Sequence, residues 1–89
     1  MMNKNYQYDK QFLKQFKKLS RKKQLKVREA LDLYLVAPNT PSLRVHQLSG
    51  NLSGITSISA GGDLRVHLLM EKNEIIIVVL EVGSHAQLY

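Results

Sequence analysis

The chain has 89 residues, of which 44% are hydrophobic, and a formal net charge of +6. This length allows one domain with a modest core, and the hydrophobic content argues against a disordered chain. Cysteine is absent, which excludes disulfides and thiolate metal sites. The three histidines are far apart, so we expect no metal and no cofactor. No apolar segment approaches the roughly 18 residues that span a membrane, so we expect a cytoplasmic protein without a membrane partner.

The positive charge is concentrated in residues 1–36, which carry ten lysines and arginines against three acidic residues. Such a run can be a solvated helix face. It can equally be a surface that attracts a polyanion or an acidic protein. Charge alone leaves both interpretations open. If the partner is RNA, the candidate contacts in this region are Lys17, Lys18, Arg21, Lys22 and Lys23.

The first half of the chain predicts one short strand and two helices. Residues 3–8 could form an edge strand. Asp9 is a plausible N-cap for a first helix and Ser20 for a second, and apolar residues recur at helical spacing after each of them. Pro38 ends the second helix, because proline cannot continue its hydrogen-bond ladder.

The second half predicts four strands, at residues 43–48, 55–60, 63–70 and 75–82, with a hairpin turn at 71–74. In the third of them, Leu64, Val66, Leu68 and Met70 alternate with a second set of side chains that points to the opposite face. The order β-α-α-β-β-β-β predicts a single α+β domain over residues 1–89. In this domain a helical hairpin packs on one face of a curved, mostly antiparallel sheet.

The sheet face away from the helices gathers polar side chains. They are Arg44 and His46 from one strand, Asp63, Arg65 and His67 from another, and His85, which a bend at Gly83 could bring back over the same face. Imidazoles act as acid or base near neutral pH, and arginine binds phosphate oxygens. The set suits metal-free RNA cleavage. Singly, each signal is weak, since a strand histidine is more often structural, and Tyr89 could stack on a base or plug the core.

Four segments in order sharpen this interpretation: the Asn-Pro start of PNTPS, then LRVHQLSG with the strand after it, then DLR, and GSHAQLY. Together with the basic helices before them, they resemble the RelE/ParE superfamily of bacterial toxins from toxin–antitoxin pairs, in particular its RelE/StbE and YafQ-like branch. The resemblance covers nearly the whole chain. It implies a helix pair on a curved antiparallel sheet and an endoribonuclease that cleaves mRNA without a metal, often on the ribosome.

The resemblance also implies roles for individual residues. His46 and His85 match active-site histidines, and Asp63 matches an acidic catalytic position of the YafQ-like members. Arg65 matches a phosphate-contacting arginine, and Tyr89 matches a terminal aromatic residue. We expect Arg44, His67 and Tyr89 to join the basic helices in contacting RNA.

Two positions depart from the family pattern. Ser59 stands where YafQ-like toxins carry a further histidine, and His67 stands where the family usually has an aromatic or large apolar residue. These departures bear on the rate and on the proton-transfer roles more than on the fold.

Three functions are therefore open: an mRNA-cleaving toxin, a ParE-like toxin that inhibits a topoisomerase, and a catalytically degenerate relative that still binds an antitoxin. All three predict a small antitoxin with an acidic, partly disordered segment that complements the charge of +6. The first function adds mRNA and the ribosome as partners.

Overall fold

The computed structural model describes residues 5–71 and 76–89. Its elements are β1 (Asn5–Tyr8), α1 (Lys10–Lys17), α2 (Arg21–Val36), β2 (His46–Gln47), β3 (Ile55–Ser59), β4 (Leu64–Glu71), β5 (Ile76–Ser84) and α3 (His85–Leu88), with short 3-10 turns at Pro41–Leu43 and Gly50–Leu52. The predicted order and α+β class are confirmed, and α3 is an addition. Of the predicted hairpin turn at 71–74, all but Glu71 lies outside the described residues.

Both long helices begin at the predicted caps. The carboxylate of Asp9 accepts a hydrogen bond from the amide of Gln11 at 2.8 Å, and the hydroxyl of Ser20 accepts one from the amide of Lys23 at 3.2 Å. Each cap satisfies an amide that has no partner within the helix. The second helix ends at Val36, two residues before Pro38. None of the described helices is long and apolar enough to cross a membrane.

The strands form one five-stranded sheet in the order β1-β5-β4-β3-β2. Strand β1 pairs in parallel with β5, and the other pairs are antiparallel. The hydroxyl of Tyr6 in β1 donates to the carbonyl of Leu31 at 2.6 Å, which ties this edge to α2. Where β1 stops, α1 covers the edge of β5, since the amide of Val82 donates to Oε1 of Gln15 at 2.8 Å.

One face of the sheet packs against α1 and α2. The buried apolar residues of this layer include Phe12, Val27, Ala30, Leu31 and Tyr34 from the helices and Ile58, Leu64, Val66, Leu68, Ile77, Val79 and Val82 from the strands. The alternation predicted for β4 is therefore confirmed. Its second set of side chains, which includes Arg65 and His67, faces away from the helices.

A β-bulge between β4 and β5 determines which side chains of β5 face away from the helices. The register of β4 against β5 shifts directly after His67, which leaves an extra residue in β5. Because of this bulge, Val79 and Val82 both reach the core although they are three residues apart. Glu81 then lies directly opposite His67 on the other face.

The strand predicted at 43–48 is much shorter than expected. Leu43 belongs to a 3-10 turn, only His46 and Gln47 form β2, and the amide of Leu48 donates one further hydrogen bond to the carbonyl of Ile55 in β3 at 2.9 Å. Arg44 has a left-handed backbone, with φ of 47°, so it is not part of a strand. Strand alternation is therefore the wrong reason for grouping Arg44 with His46, although both side chains line the same cleft.

Candidate active site

A row of four residues crosses the sheet face that the helices leave open. His46, Ser57, His67 and Glu81 lie directly opposite one another on β2, β3, β4 and β5. Residues directly opposite on neighbouring strands share a face and are close enough to interact. The register therefore brings two of the three histidines onto one face, and the remaining one, His85, reaches it from α3.

Helix α3 begins in a capping box. The hydroxyl of Ser84 accepts from the amide of Gln87 at 3.2 Å, and Oε1 of Gln87 accepts from the amide of Ser84 at 2.8 Å. The amide of His85 donates to the carbonyl of Asp63 at 3.1 Å and lies 3.3 Å from its carboxylate. These contacts fix the direction in which the chain leaves β5.

The predicted role of Gly83 as a bend needs correction. Gly83 lies within β5 and has no left-handed backbone. A Cβ atom there would come within 2.9 Å of Oε1 of Gln87 and 3.3 Å of Leu88. A larger residue would therefore have to displace the side chain of Gln87, which forms the capping box of α3, and the turn itself begins at Ser84.

Tyr89 lies across the open face and joins three of its residues. The phenol hydroxyl donates to Oγ of Ser57 at 2.6 Å. The ring stacks on His85, with centroids 4.3 Å apart and planes at 25°, and meets His67 in an edge contact at 5.0 Å and 75°. The ring remains 45% exposed, so Tyr89 bonds to the sheet and still borders solvent.

His67 is fully buried beneath this arrangement. Its Nδ1 is 3.5 Å from Oε2 of Glu81, which is long for a hydrogen bond, and neither ring nitrogen has a hydrogen-bond partner within the described chain. Burial lowers the pKa of His67, and the nearby carboxylate of Glu81 opposes this shift. The predicted contact of His67 with RNA is not available in this structure, because its strand position places it under Tyr89.

A cleft of about 620 Å³ opens on this face. The polar and aromatic residues that line it are Arg44, His46, Ser49, Ser57, Arg65, His85 and Tyr89. Among the described residues, none that lines the cleft is acidic. Two permanent positive charges without a neutralising carboxylate make the cleft attractive to a phosphate group.

Arg65, which lines the cleft, is held by neutral acceptors. Its Nη1 donates to Oγ of Ser59 at 3.2 Å and to the carbonyls of Gly62 at 2.7 Å and Leu64 at 3.1 Å. Within the described residues it forms no ion pair, so its charge is not neutralised by a carboxylate. Ser59, which stands where the family pattern has a histidine, thus orients the arginine.

Other predicted site residues lie outside the cleft. Asp63 borders a separate pocket and contacts the amide of His85. The basic residues predicted to bind RNA from the helices are not among the described residues that line the cleft; they are Lys17, Lys18, Arg21, Lys22 and Lys23. No three described His, Asp or Glu side chains are grouped so that they could hold a metal ion.

Sequence analysis missed Ser57 and Glu81. Serine in a predicted strand carries no signal of its own, and the position of Glu81 depends on the bulge after His67. Register is the information that would have found both, since each lies opposite His67.

No family model and no curated protein matches the chain. Several solved structures, in contrast, are similar to the chain in fold. YafQ from E. coli strain BL21(DE3) superposes with a TM-score of 0.79 at 19% identity, covering 97% of this chain and 98% of that one. A chain of the E. coli DinJ–YafQ toxin–antitoxin complex superposes with a TM-score of 0.80 at 19% sequence identity, and the match covers 99% of each chain. A chain of the archaeal RelE–RelB complex from Pyrococcus horikoshii OT3 superposes with a TM-score of 0.75 at 20% sequence identity, and the match covers 97% of this chain and 99% of that one. The chain therefore has the fold of the RelE- and YafQ-type toxins, as the sequence resemblance implied.

Proposed function

We propose that this chain is the toxin of a type II toxin–antitoxin pair and that it is an endoribonuclease that cleaves mRNA in the cytoplasm. The observation that carries the proposal is the cleft, because His46, His85, Arg44 and Arg65 all line it. The fold that presents this cleft is shared with YafQ and with structures of toxin–antitoxin complexes.

The proposed reaction uses the two exposed imidazoles as acid and base. One takes the proton of a ribose 2′-hydroxyl, whose oxygen attacks the adjacent phosphorus. The other gives a proton to the 5′-oxygen as its bond to phosphorus breaks, which leaves a cyclic phosphate and a 5′-hydroxyl. Each such transfer contributes roughly 10²–10⁴-fold. Arg65 stabilises the charge on the phosphorane, and its hydrogen bonds to Ser59 and to two carbonyls orient it before RNA binds.

Asp63 has a positioning role in this proposal. Its carboxylate and carbonyl both lie at the amide of His85, so it fixes the start of α3 rather than exchanging a proton with RNA. Tyr89 and His85 form a stacked pair at the cleft wall, and an unstacked base can extend such a stack. The basic helices hold RNA or ribosomal phosphates further away, and this part of the affinity weakens with salt.

The test is induced expression of the wild type beside His85→Ala and His46→Ala. Both side chains are exposed, so neither substitution opens a cavity, and circular dichroism of the purified variants checks that they fold. The wild type should stop growth and shorten reporter mRNA, and each variant should lose at least roughly 10²-fold in cleavage rate. Wild-type protein that leaves growth and mRNA intact contradicts the proposal. Inhibition of DNA supercoiling with intact mRNA would instead favour the ParE-like function.

The proposed protein partner is an antitoxin with an acidic segment that folds on binding. The net charge of +6 favours such a segment. The gene for it should lie next to the gene for this chain, and coexpression should restore growth. A gene without such a neighbour would count against the toxin function.

A further inference from the structure

His67 is a polar side chain in an unusual position. It lies at the centre of the open sheet face, yet no part of it is exposed, and among the described residues neither of its ring nitrogens has a hydrogen-bond partner. The nearest charged atom, Oε2 of Glu81, is 3.5 Å from Nδ1. A buried polar ring without a partner destabilises the folded state. Hydrogen bonding therefore does not explain a histidine at this position, and any favourable contribution of the ring comes from its packing.

The ring of His67 packs against Tyr89. The two centroids are 5.0 Å apart and the planes are nearly perpendicular, which is the favourable edge arrangement of aromatic pairs. On a second side, Tyr89 stacks on His85 at 4.3 Å. Three rings therefore form a continuous series from the sheet to the cleft, in the order His67, Tyr89, His85.

The series of rings is the main support of the His85 side chain. Its backbone amide is held by Asp63, whereas its side chain stacks on Tyr89 and, among the described residues, has no hydrogen bond or ion pair. The orientation of the exposed imidazole therefore depends on where the ring of Tyr89 lies. That ring has two supports on the sheet, the hydroxyl of Ser57 and the ring of His67.

We infer that His67 is a positioning residue that orients His85 through Tyr89 by aromatic packing, without touching the substrate. The inference about position rests on the ring geometry, and its consequence for the rate rests on the proposed function of His85 in RNA cleavage. It follows that the aromatic ring of residue 67 matters, while its nitrogen atoms do not.

The test compares His67→Leu with His67→Phe. Both substitutions fill the buried site with an apolar side chain and remove the unpaired nitrogens, so both variants should fold, but only phenylalanine keeps an aromatic ring against Tyr89. The first readout is the NMR chemical shift of the His85 ring protons, because the stacked ring of Tyr89 changes this shift from its value in free histidine. The second is the single-turnover cleavage rate of a single-stranded RNA. Leu69→Ala is the control, since Leu69 lies on the same strand and face but opposite Ile55 and Val78.

In His67→Leu the His85 shifts should move toward those of free histidine and the cleavage rate should fall roughly 2- to 10-fold, the range expected for losing one aromatic pair. In His67→Phe the His85 shifts should match those of the wild type and the cleavage rate should stay within about twofold of it. In Leu69→Ala the His85 shifts should be unchanged. Wild-type His85 shifts in His67→Leu would overturn the inference, as would a loss in His67→Phe equal to that in His67→Leu. If the wild type cleaves no RNA, the proposed function fails, and the NMR comparison still decides the role of His67.

Discussion

The hydrogen bond between Tyr89 and Ser57 should contribute measurably to stability. Its oxygen atoms are 2.6 Å apart, and Ser57 is only 3% exposed. Tyr89→Phe removes the donor and keeps the ring on His85. A neutral hydrogen bond contributes about 0.5–1.5 kcal/mol, and leaving its buried acceptor unpaired adds a desolvation cost. We therefore expect Tyr89→Phe to lower the free energy of unfolding by about 1–2 kcal/mol, which in a domain of this size corresponds to a fall in Tm of roughly 4–16 °C.

A double-mutant cycle isolates this bond. Urea unfolding is measured for the wild type, Tyr89→Phe, Ser57→Ala and the double variant. Ser57→Ala should cost less than Tyr89→Phe, because the phenol of the half-exposed Tyr89 can still bond to water. The double variant should be less destabilised than the sum of the two single variants, with a coupling free energy of about 1 kcal/mol. Losses that add to within about 0.3 kcal/mol would refute the reasoning, since additivity means that the two hydroxyls do not interact.

Three other contacts predict measurable changes. Because burial lowers the pKa of His67 below its unfolded value of 6.5, the unfolded state binds its proton first. The free energy of unfolding should therefore fall as the pH drops below about 6.5, by at most about 1.4 kcal/mol per pH unit; urea unfolding at several pH values should show a flatter profile for His67→Phe, and parallel profiles would contradict this. Gln15→Ala leaves the buried amide of Val82 without its acceptor and should cost about 1–3 kcal/mol and speed exchange of that amide, whereas Gln11→Ala on the exposed side of the same helix should do neither. Gly83→Ala places a Cβ 2.9 Å from Oε1 of Gln87 and should disturb the bond of this oxygen to the amide of Ser84 at the start of α3. The NMR shifts of His85 should therefore move, and unchanged shifts would contradict this expectation.

The sequence was sufficient for features that depend on neighbouring residues. Asp9 and Ser20 cap helices because their short side chains reach amides two or three residues ahead. The strand at Leu64–Glu71 was predictable because a sheet with one covered face imposes a period of two. The same period of two predicted that Arg65 and His67 lie on the open face.

The arrangement within that face depended on pairing between distant segments. Nothing local in the chain indicates the bulge after His67, which sets Glu81 opposite the buried imidazole. Likewise, only the pairing with β3 shows that the strand around His46 is two residues long. The resemblance to the toxin family supplied the general shape, but the burial of His67 under Tyr89 involves a residue type that departs from the family pattern.

The two sides of the cleft differ in how firmly the protein holds their functional groups. Arg65 is fixed by three hydrogen bonds, and His85 is fixed by its backbone and by the stack with Tyr89. His46 lies on a two-residue strand at the edge of the sheet. Short edge strands with few pairings are the parts of a fold that open most easily. Under the proposed function, His85 would therefore be positioned before RNA binds, while the position of His46 would depend on contacts that RNA makes with the β2 side of the cleft.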